Sequence, residues 1–149
     1  MKNLFNTADV ALLKSRIEQL TPTSQRKWGK MQVAQMLAHC NAAMEVATAK
    51  KFPPRIFIGR ILAPLVKPAF FNEKPFAKNA PTDKSFVIKD ERDFAAEKNK
   101  LLNLIQQFAD NGEAGVTTHP HSFFGTLTPT EWARGMYKHI EHHLVQFGV

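Results

Sequence analysis

The chain has 149 residues, a formal net charge of +7, 44% hydrophobic residues and a single cysteine. This length is typical of one domain with a core of its own, and one cysteine excludes an internal disulfide. The longest apolar stretch, Ile56 to Val66, is about half of the roughly 20 residues that a membrane span requires, so we expect no membrane partner. The first residues also lack the apolar segment of a secretion signal, which predicts a cytoplasmic protein.

Lysine and arginine are spread along the whole chain and form only short pairs. Proteins that bind nucleic acids usually gather these residues on one face or along one helix. We therefore interpret the positive charge as an ordinary solvated surface and disfavour a nucleic acid partner.

Two amphipathic helices are predicted in the first third of the chain. The first runs from about Thr7 to Leu20 and stops before Pro22, and the second runs from about Met31 to Ala49 and ends before Pro53. Their apolar faces comprise Val10, Leu13, Ile17 and Leu20 in the first helix, and Val33, Met36, Leu37, Cys40, Ala43, Met44 and Ala47 in the second.

Residues 52–89 form a long connection that is rich in phenylalanine, proline and lysine. A short helix from Arg55 to Val66 fits its first part, and the remainder is predicted to be irregular. Connections of this length are often functional, so a lid over a substrate is one interpretation. We favour the other, in which four aromatic rings attach the connection to the helices: Phe70, Phe71, Phe76 and Phe86.

A third helix is predicted from Asp90, as its N-cap, to about Ala109, closed by Asn111 and Gly112. Its inward face consists of Phe94, Leu101, Leu104, Ile105 and Phe108.

The fourth helix has the clearest boundaries. Thr128, Pro129 and Glu131 give an N-cap, a proline at the first helical position and a capping box, and Gly148 is the matching terminator. The pattern as a whole predicts an all-α protein, a four-helix bundle with a long connection between its second and third helices.

Three of the six histidines lie in the last predicted helix, at positions 139, 142 and 143. His139 and His143 are four residues apart and fall on the apolar stripe, so both rings point inward and can bind one metal ion. His142 lies off this stripe and is better suited to a place beside the ligands or in solvent. A single inward histidine is usually satisfied by one hydrogen bond, but two neighbouring rings are harder to satisfy without a metal.

A third ligand should come from another helix, because catalytic metal sites normally use three protein ligands and leave one position open. His39 is the first candidate, since it lies in the middle of the second helix. His119 and His121, in contrast, lie in the loop before the last helix.

The same patterns exclude several enzyme classes. Glu141 and Glu45 are predicted to face away from the histidines, so the general base of a metalloprotease is missing. We find neither a nucleophile elbow nor a glycine-rich phosphate loop. Cys40 is predicted to be a small core residue and not a nucleophile.

The order of these motifs resembles the DinB/YfiT-like superfamily, specifically an uncharacterised branch of it. The resemblance covers nearly the whole chain and is weakest over residues 52–89. It is carried by Trp28-Gly29-Lys30-Met31, Gln35-Met36-Leu37-Ala38-His39, Phe124-Gly125-Thr126-Leu127-Thr128, Glu131-Trp132, His139-x-x-His142-His143 and Gln146-Phe147-Gly148.

The resemblance implies a four-helix bundle that holds nickel, zinc or iron through His39, His139 and His143. We expect Gln35, His142 and Gln146 to lie around these ligands. Characterised relatives include thiol S-transferases, a thiol-dependent isomerase and iron-binding domains, and dimers are frequent among them. The implied partners are therefore a small-molecule substrate, a low-molecular-weight thiol among the candidates, and a second copy of the chain.

Two functions follow from these expectations. The first is a metal-dependent enzyme, thiol S-transferase-like or hydrolase-like, in which the metal lowers the pKa of a nucleophile. The second is a bundle that binds a metal or small ligand without turnover. Loss of metal distinguishes them, because a structural site is strongly coupled to folding whereas a catalytic site can be emptied at modest cost in stability.

Overall fold

The computed structural model describes residues 1–149 and is all-helical, with five α-helices and no strand. The helices are α1 (Thr7–Glu18), α2 (Val33–Ala47), α3 (Phe57–Phe70), α4 (Phe94–Asn111) and α5 (Pro129–Gln146). Short 3₁₀ turns occupy Lys84–Phe86 and Gly112–Gly115. No helix combines the length and the apolarity that crossing a bilayer requires.

The start of α5 is fixed by the predicted capping box. The Thr128 hydroxyl accepts a hydrogen bond from the Glu131 amide at 3.1 Å, and the Glu131 carboxylate accepts one from the Thr128 amide at 2.9 Å. Pro129 occupies the first helical position, where its missing N–H costs nothing. The helix ends at Gln146, and Gly148 follows in the left-handed region with a φ of +85°.

The predicted N-cap of α4 was wrong by three residues. Asp93 is the cap, and its side chain accepts a hydrogen bond from the Ala96 amide at 2.6 Å. The carboxylate of Asp90 instead pairs with Arg92 at 3.0 Å, and its carbonyl accepts a hydrogen bond from Gln35. Both aspartates have capping chemistry, so a tertiary contact decides between them.

Four of the helices share one core. α2 packs against α4 and α5, and α1 packs against the same two helices. The largest fully buried side chains of this core are Leu13 and Ile17 of α1, Met36, Leu37 and Met44 of α2, Leu101, Ile105 and Phe108 of α4, and Trp132 and Tyr137 of α5. The histidines of α2 and α5 are therefore held in helices that pack directly on each other.

The remaining helix, α3, lies outside this core and extends four residues beyond the predicted Val66. Only Gly59 and Ala63 of α3 are buried. A Cβ atom on Gly59 would lie 2.6 Å from the carbonyl oxygen of Phe123, so only glycine allows this close approach to the neighbouring loop. The helix tolerates Pro64 and Pro68 because they lie on its exposed side, where the carbonyls they leave unpaired can reach water.

Candidate metal site

Three histidine rings meet between α2 and α5. His39 and His143 are 4% and 7% exposed, and His139 is half-buried. The ring centroids lie 4.8 Å (His39 to His139), 4.8 Å (His39 to His143) and 4.9 Å (His139 to His143) apart, so they form a nearly equilateral triangle. The rings are steeply inclined to one another, at 73°, 79° and 81°. This arrangement directs nitrogens to the centre instead of stacking the rings.

The distances between these nitrogens fit a metal site. One nitrogen from each ring lies within 4.8 Å of the other two, and the Nε2 atoms of His39 and His139 are 2.9 Å apart. Zinc–nitrogen bonds of about 2.0–2.1 Å in tetrahedral geometry place ligand nitrogens roughly 3.4 Å apart. Shifts of the order of an ångström at these side chains would reach that separation, so the three residues could hold a divalent ion.

The orientation of His39 is set by a backbone carbonyl. Its Nδ1 lies 2.9 Å from the carbonyl oxygen of Phe86, which can only accept a hydrogen bond. Nδ1 of the neutral ring therefore carries the proton, and Nε2 keeps its lone pair toward the other two rings. A carbonyl partner of this kind is common behind a metal-bound histidine.

His143 is oriented by a chain of two hydrogen bonds. The Gln146 amide nitrogen donates to the Trp28 carbonyl at 2.8 Å, which turns the amide oxygen of Gln146 toward His143. That oxygen lies 2.8 Å from Nδ1 of His143 and accepts its proton in a hydrogen bond. Nε2 of His143 is consequently left with a lone pair. Gly29 leaves room for this arrangement, since a Cβ atom there would lie 2.5 Å from the Gln146 amide nitrogen.

The site favours neutral rings. Burial is the main cause that lowers the pKa of His39 and of His139, and it lowers the pKa of His143 to about 3. The neighbouring rings reinforce the effect, because a positive charge on one of them opposes protonation of the others. Neutral imidazole is the form that binds metal ions, so these three residues are available as ligands at neutral pH.

The other residues expected around the ligands are placed differently. Gln146 contacts His143 as described, and the ring of His142 lies 5.2 Å from that of His143 and 5.7 Å from that of Trp28. Gln35 makes no hydrogen bond to a histidine. Its side chain caps α2 by accepting from the Gln32 amide at 2.9 Å, and it ties that helix to residues 89–90.

The two histidines of the loop before α5, His119 and His121, do not join the triangle. His119 lies 2.9 Å from the carbonyl of Pro53, which it bonds through Nε2. Nδ1 of His121 accepts hydrogen bonds from the amides of Phe123 and Phe124 at 3.0 and 3.2 Å, and so shapes the loop before α5.

The half-buried ring of His121 predicts an acid-sensitive fold. Burial lowers the pKa of His121 to about 4, assisted by Arg55 and opposed by Asp83. The unfolded chain, with an ordinary pKa of 6.5, binds more protons between these values, so stability falls as the pH drops from about 6.5 toward 4. The titration of His121 lowers the free energy of unfolding by about 3 kcal/mol over this range. Urea unfolding of the metal-free protein across this range should show it.

The matched variant is His121→Asn, whose side-chain oxygen can accept the same two amides without titrating. We expect a flatter pH dependence of the unfolding free energy in this variant than in the wild type. The other histidines contribute equally to the pH dependence of the unfolding free energy in both proteins. Their contribution therefore cancels when the two pH dependences are subtracted. Equal slopes in the two proteins would contradict the assignment.

No carboxylate accompanies the three histidines. Glu45 pairs with Lys100 at 2.6 Å and Glu141 with Arg16 at 3.1 Å, on faces directed away from the triangle, as predicted. Cys40 is fully buried, and burial raises the pKa of its thiol. Its sulfur contacts Met36, which agrees with a core role.

Sequence reasoning missed three contributors around the site. Two are the backbone carbonyls of Phe86 and Trp28, which no side-chain pattern can indicate. The third is Lys138, a charged side chain that is only 7% exposed. Its ammonium donates to the carbonyls of Phe70 and Asn72 at 2.8 and 2.9 Å and lies 4.4 Å from the Phe76 ring centre. Lys138 thereby attaches the segment that follows α3 to the helix α5. Phe70 and Phe76, which it contacts, are two of the aromatic residues predicted to attach this connection to the helices.

Comparison with known proteins gives one match. A family model described as "Protein of unknown function (DUF1569)" matches residues 4–148. No curated protein and no solved structure matches the chain.

Proposed function

The chain belongs to the DUF1569 family, and we propose that it is a metal-dependent enzyme with a three-histidine site, of the DinB/YfiT-like kind. The proposal includes the expected bundle of four helices, built by α1, α2, α4 and α5, a cytoplasmic location and a small-molecule substrate. The favoured reaction is transfer to or from a low-molecular-weight thiol, with hydrolysis as the second reaction of the same site.

The observation that carries this proposal is the set of three neutral imidazoles aimed at one point. A divalent ion bound by three neutral ligands keeps its full charge and lowers the pKa of a water or thiol that it coordinates. His39 and His143 are prepared for such a role, since the Phe86 carbonyl and the Gln146 amide oxygen hold the ring protons on the far side.

The lack of a carboxylate favours a thiol over water as the nucleophile. Hydrolysis at comparable zinc sites usually relies on a glutamate that removes a proton from water. Here Glu45 and Glu141 are held in ion pairs elsewhere. A thiol has an ordinary pKa of about 8.5 and needs little help from a base once a cation stabilises its thiolate.

Cobalt substitution tests this proposal. We would purify the full chain without a histidine tag, replace its metal with cobalt(II) and add 2-mercaptoethanol. The expected result is stoichiometric cobalt and a new thiolate-to-cobalt absorption band, absent with ethanol and absent in His143→Ala. Stoichiometric cobalt with an unchanged spectrum in the presence of the thiol would overturn the thiol reaction.

A non-catalytic metal- or ligand-binding bundle is the second candidate. It is favoured by the burial of two of the three rings. Removal of the metal distinguishes the two functions, because loss of a structural ion should unfold the protein or greatly lower its stability. Near-native stability of the metal-free chain would favour the enzyme.

A further inference from the structure

The helix α3 exposes a continuous apolar face that none of the other helices covers. Its exposed large side chains recur at positions 57, 58, 61, 62, 65 and 66, which form one stripe along a helix. Phe57 is 75% exposed and Leu65 is 77% exposed. The opposite side, with Gly59 and Ala63, is the one that packs on the protein. The small residues thus face inward and the large apolar residues face outward, the reverse of an ordinary surface helix.

The segment that carries this face is basic, and the acidic residues beside it are Glu131, which pairs with Lys67, and the exposed Glu73 after the helix. Residues 46–72 contain five lysines and arginines and no aspartate or glutamate. Lys51 and Lys67 are paired with Glu45 and Glu131, but Arg60 is exposed and forms no ion pair. Lys74, after the helix, is likewise exposed and unpaired. An occupant of the face must therefore be apolar where it meets α3 and negative around it.

We propose that α3 binds the surface of an anionic lipid membrane. Helices that lie in a membrane interface combine a large apolar face, aromatic and leucine anchors, and flanking lysine or arginine. With 14 residues, α3 is about 21 Å long, less than the roughly 30 Å of a bilayer's hydrocarbon core, so it lies in the interface and does not cross it. This revises the expectation, based on the sequence, that the chain has no membrane partner.

A second copy of the chain fits this face less well. A symmetric dimer through α3 would bring Arg60 and the other cations of one copy toward the same cations of its partner. Such like-charge pairs oppose association, whereas anionic lipid headgroups neutralise them.

The test is co-sedimentation of the metal-loaded full chain with vesicles of phosphatidylcholine, with and without phosphatidylglycerol. We expect binding to the anionic vesicles that weakens as salt is raised. Leu65→Asp should lower the partition coefficient at least about tenfold. Arg60→Gln should lower it about fivefold on anionic vesicles. Both side chains are exposed, so neither substitution disturbs the core.

The matched control is Leu12→Asp, since Leu12 is an apolar residue of α1 that is 41% exposed and distant in sequence from α3. It should bind vesicles like the wild type. Absence of binding to anionic vesicles, or equal binding by Leu65→Asp and the wild type, would overturn the proposal. Sedimentation equilibrium showing a dimer that Leu65→Asp dissociates would overturn it as well, and would assign the face to a second copy.

Discussion

Replacing His39 with alanine is expected to lower the affinity for zinc at least about 100-fold. Structural zinc sites with four ligands bind with roughly 10–16 kcal/mol, so one ligand carries on the order of 3 kcal/mol. His39 is also the only one of the three ligand candidates supplied by α2, and its Nε2 lies 2.9 Å from that of His139. Competition with a chromophoric chelator would measure the loss.

The control for this experiment is His119→Ala. His119 is also a partly buried histidine bonded to a carbonyl, but it contacts Pro53 in a loop outside the triangle. Its removal should leave the zinc affinity unchanged, and His143→Ala should behave like His39→Ala. Equal affinities for the wild type and His39→Ala would show that the triangle is not the metal site.

Substitution of Gln146 by alanine should lower zinc affinity by about 10- to 100-fold while the stoichiometry at excess zinc stays near one. Gln146 touches no metal position, but its amide oxygen fixes the proton of His143 on Nδ1. Without it, the ring can rotate or carry its proton on Nε2, and part of the binding free energy is spent in restoring the productive form. The same chelator competition measures this loss.

Gly29 provides a control that does not remove the glutamine. Alanine at this position would bring a Cβ atom within 2.5 Å of the Gln146 amide nitrogen and would strain a backbone with a φ of +81°. We expect Gly29→Ala to weaken zinc binding in the wild type and to have no further effect on affinity in Gln146→Ala, where there is no amide to displace. Additive losses in affinity would show that the two residues act independently.

The part of the site that could be predicted is the set of histidines whose positions follow from helical periodicity. His139 and His143 share an inward stripe because they are four residues apart, and His39 lies in a helix that had to pack on theirs. The cap of α5 could also be predicted, since the hydrogen bonds between Thr128 and Glu131 that form it are local to the start of the helix.

The rest depends on contacts between distant segments. α4 begins after Asp93 and not after Asp90, whose backbone carbonyl is bound by Gln35 of α2. α3 continues past Val66 because Pro68 lies on its exposed side, which no local rule reveals. Lys138 is buried because three oxygens of Phe70 and Asn72 surround its ammonium.

The carbonyl groups behind His39 and His143 have a consequence for how this family can vary. A carbonyl oxygen is supplied by every residue, so the identity of the side chains at 28 and 86 is not dictated by the hydrogen bonds that orient the rings. Those hydrogen bonds instead require that the loops keep their length, so that each carbonyl oxygen stays opposite its ring. An insertion or deletion beside Trp28 or Phe86 would shift the carbonyl oxygen and misalign the ring that it orients. Natural variants should therefore conserve the lengths of the loops around these two positions.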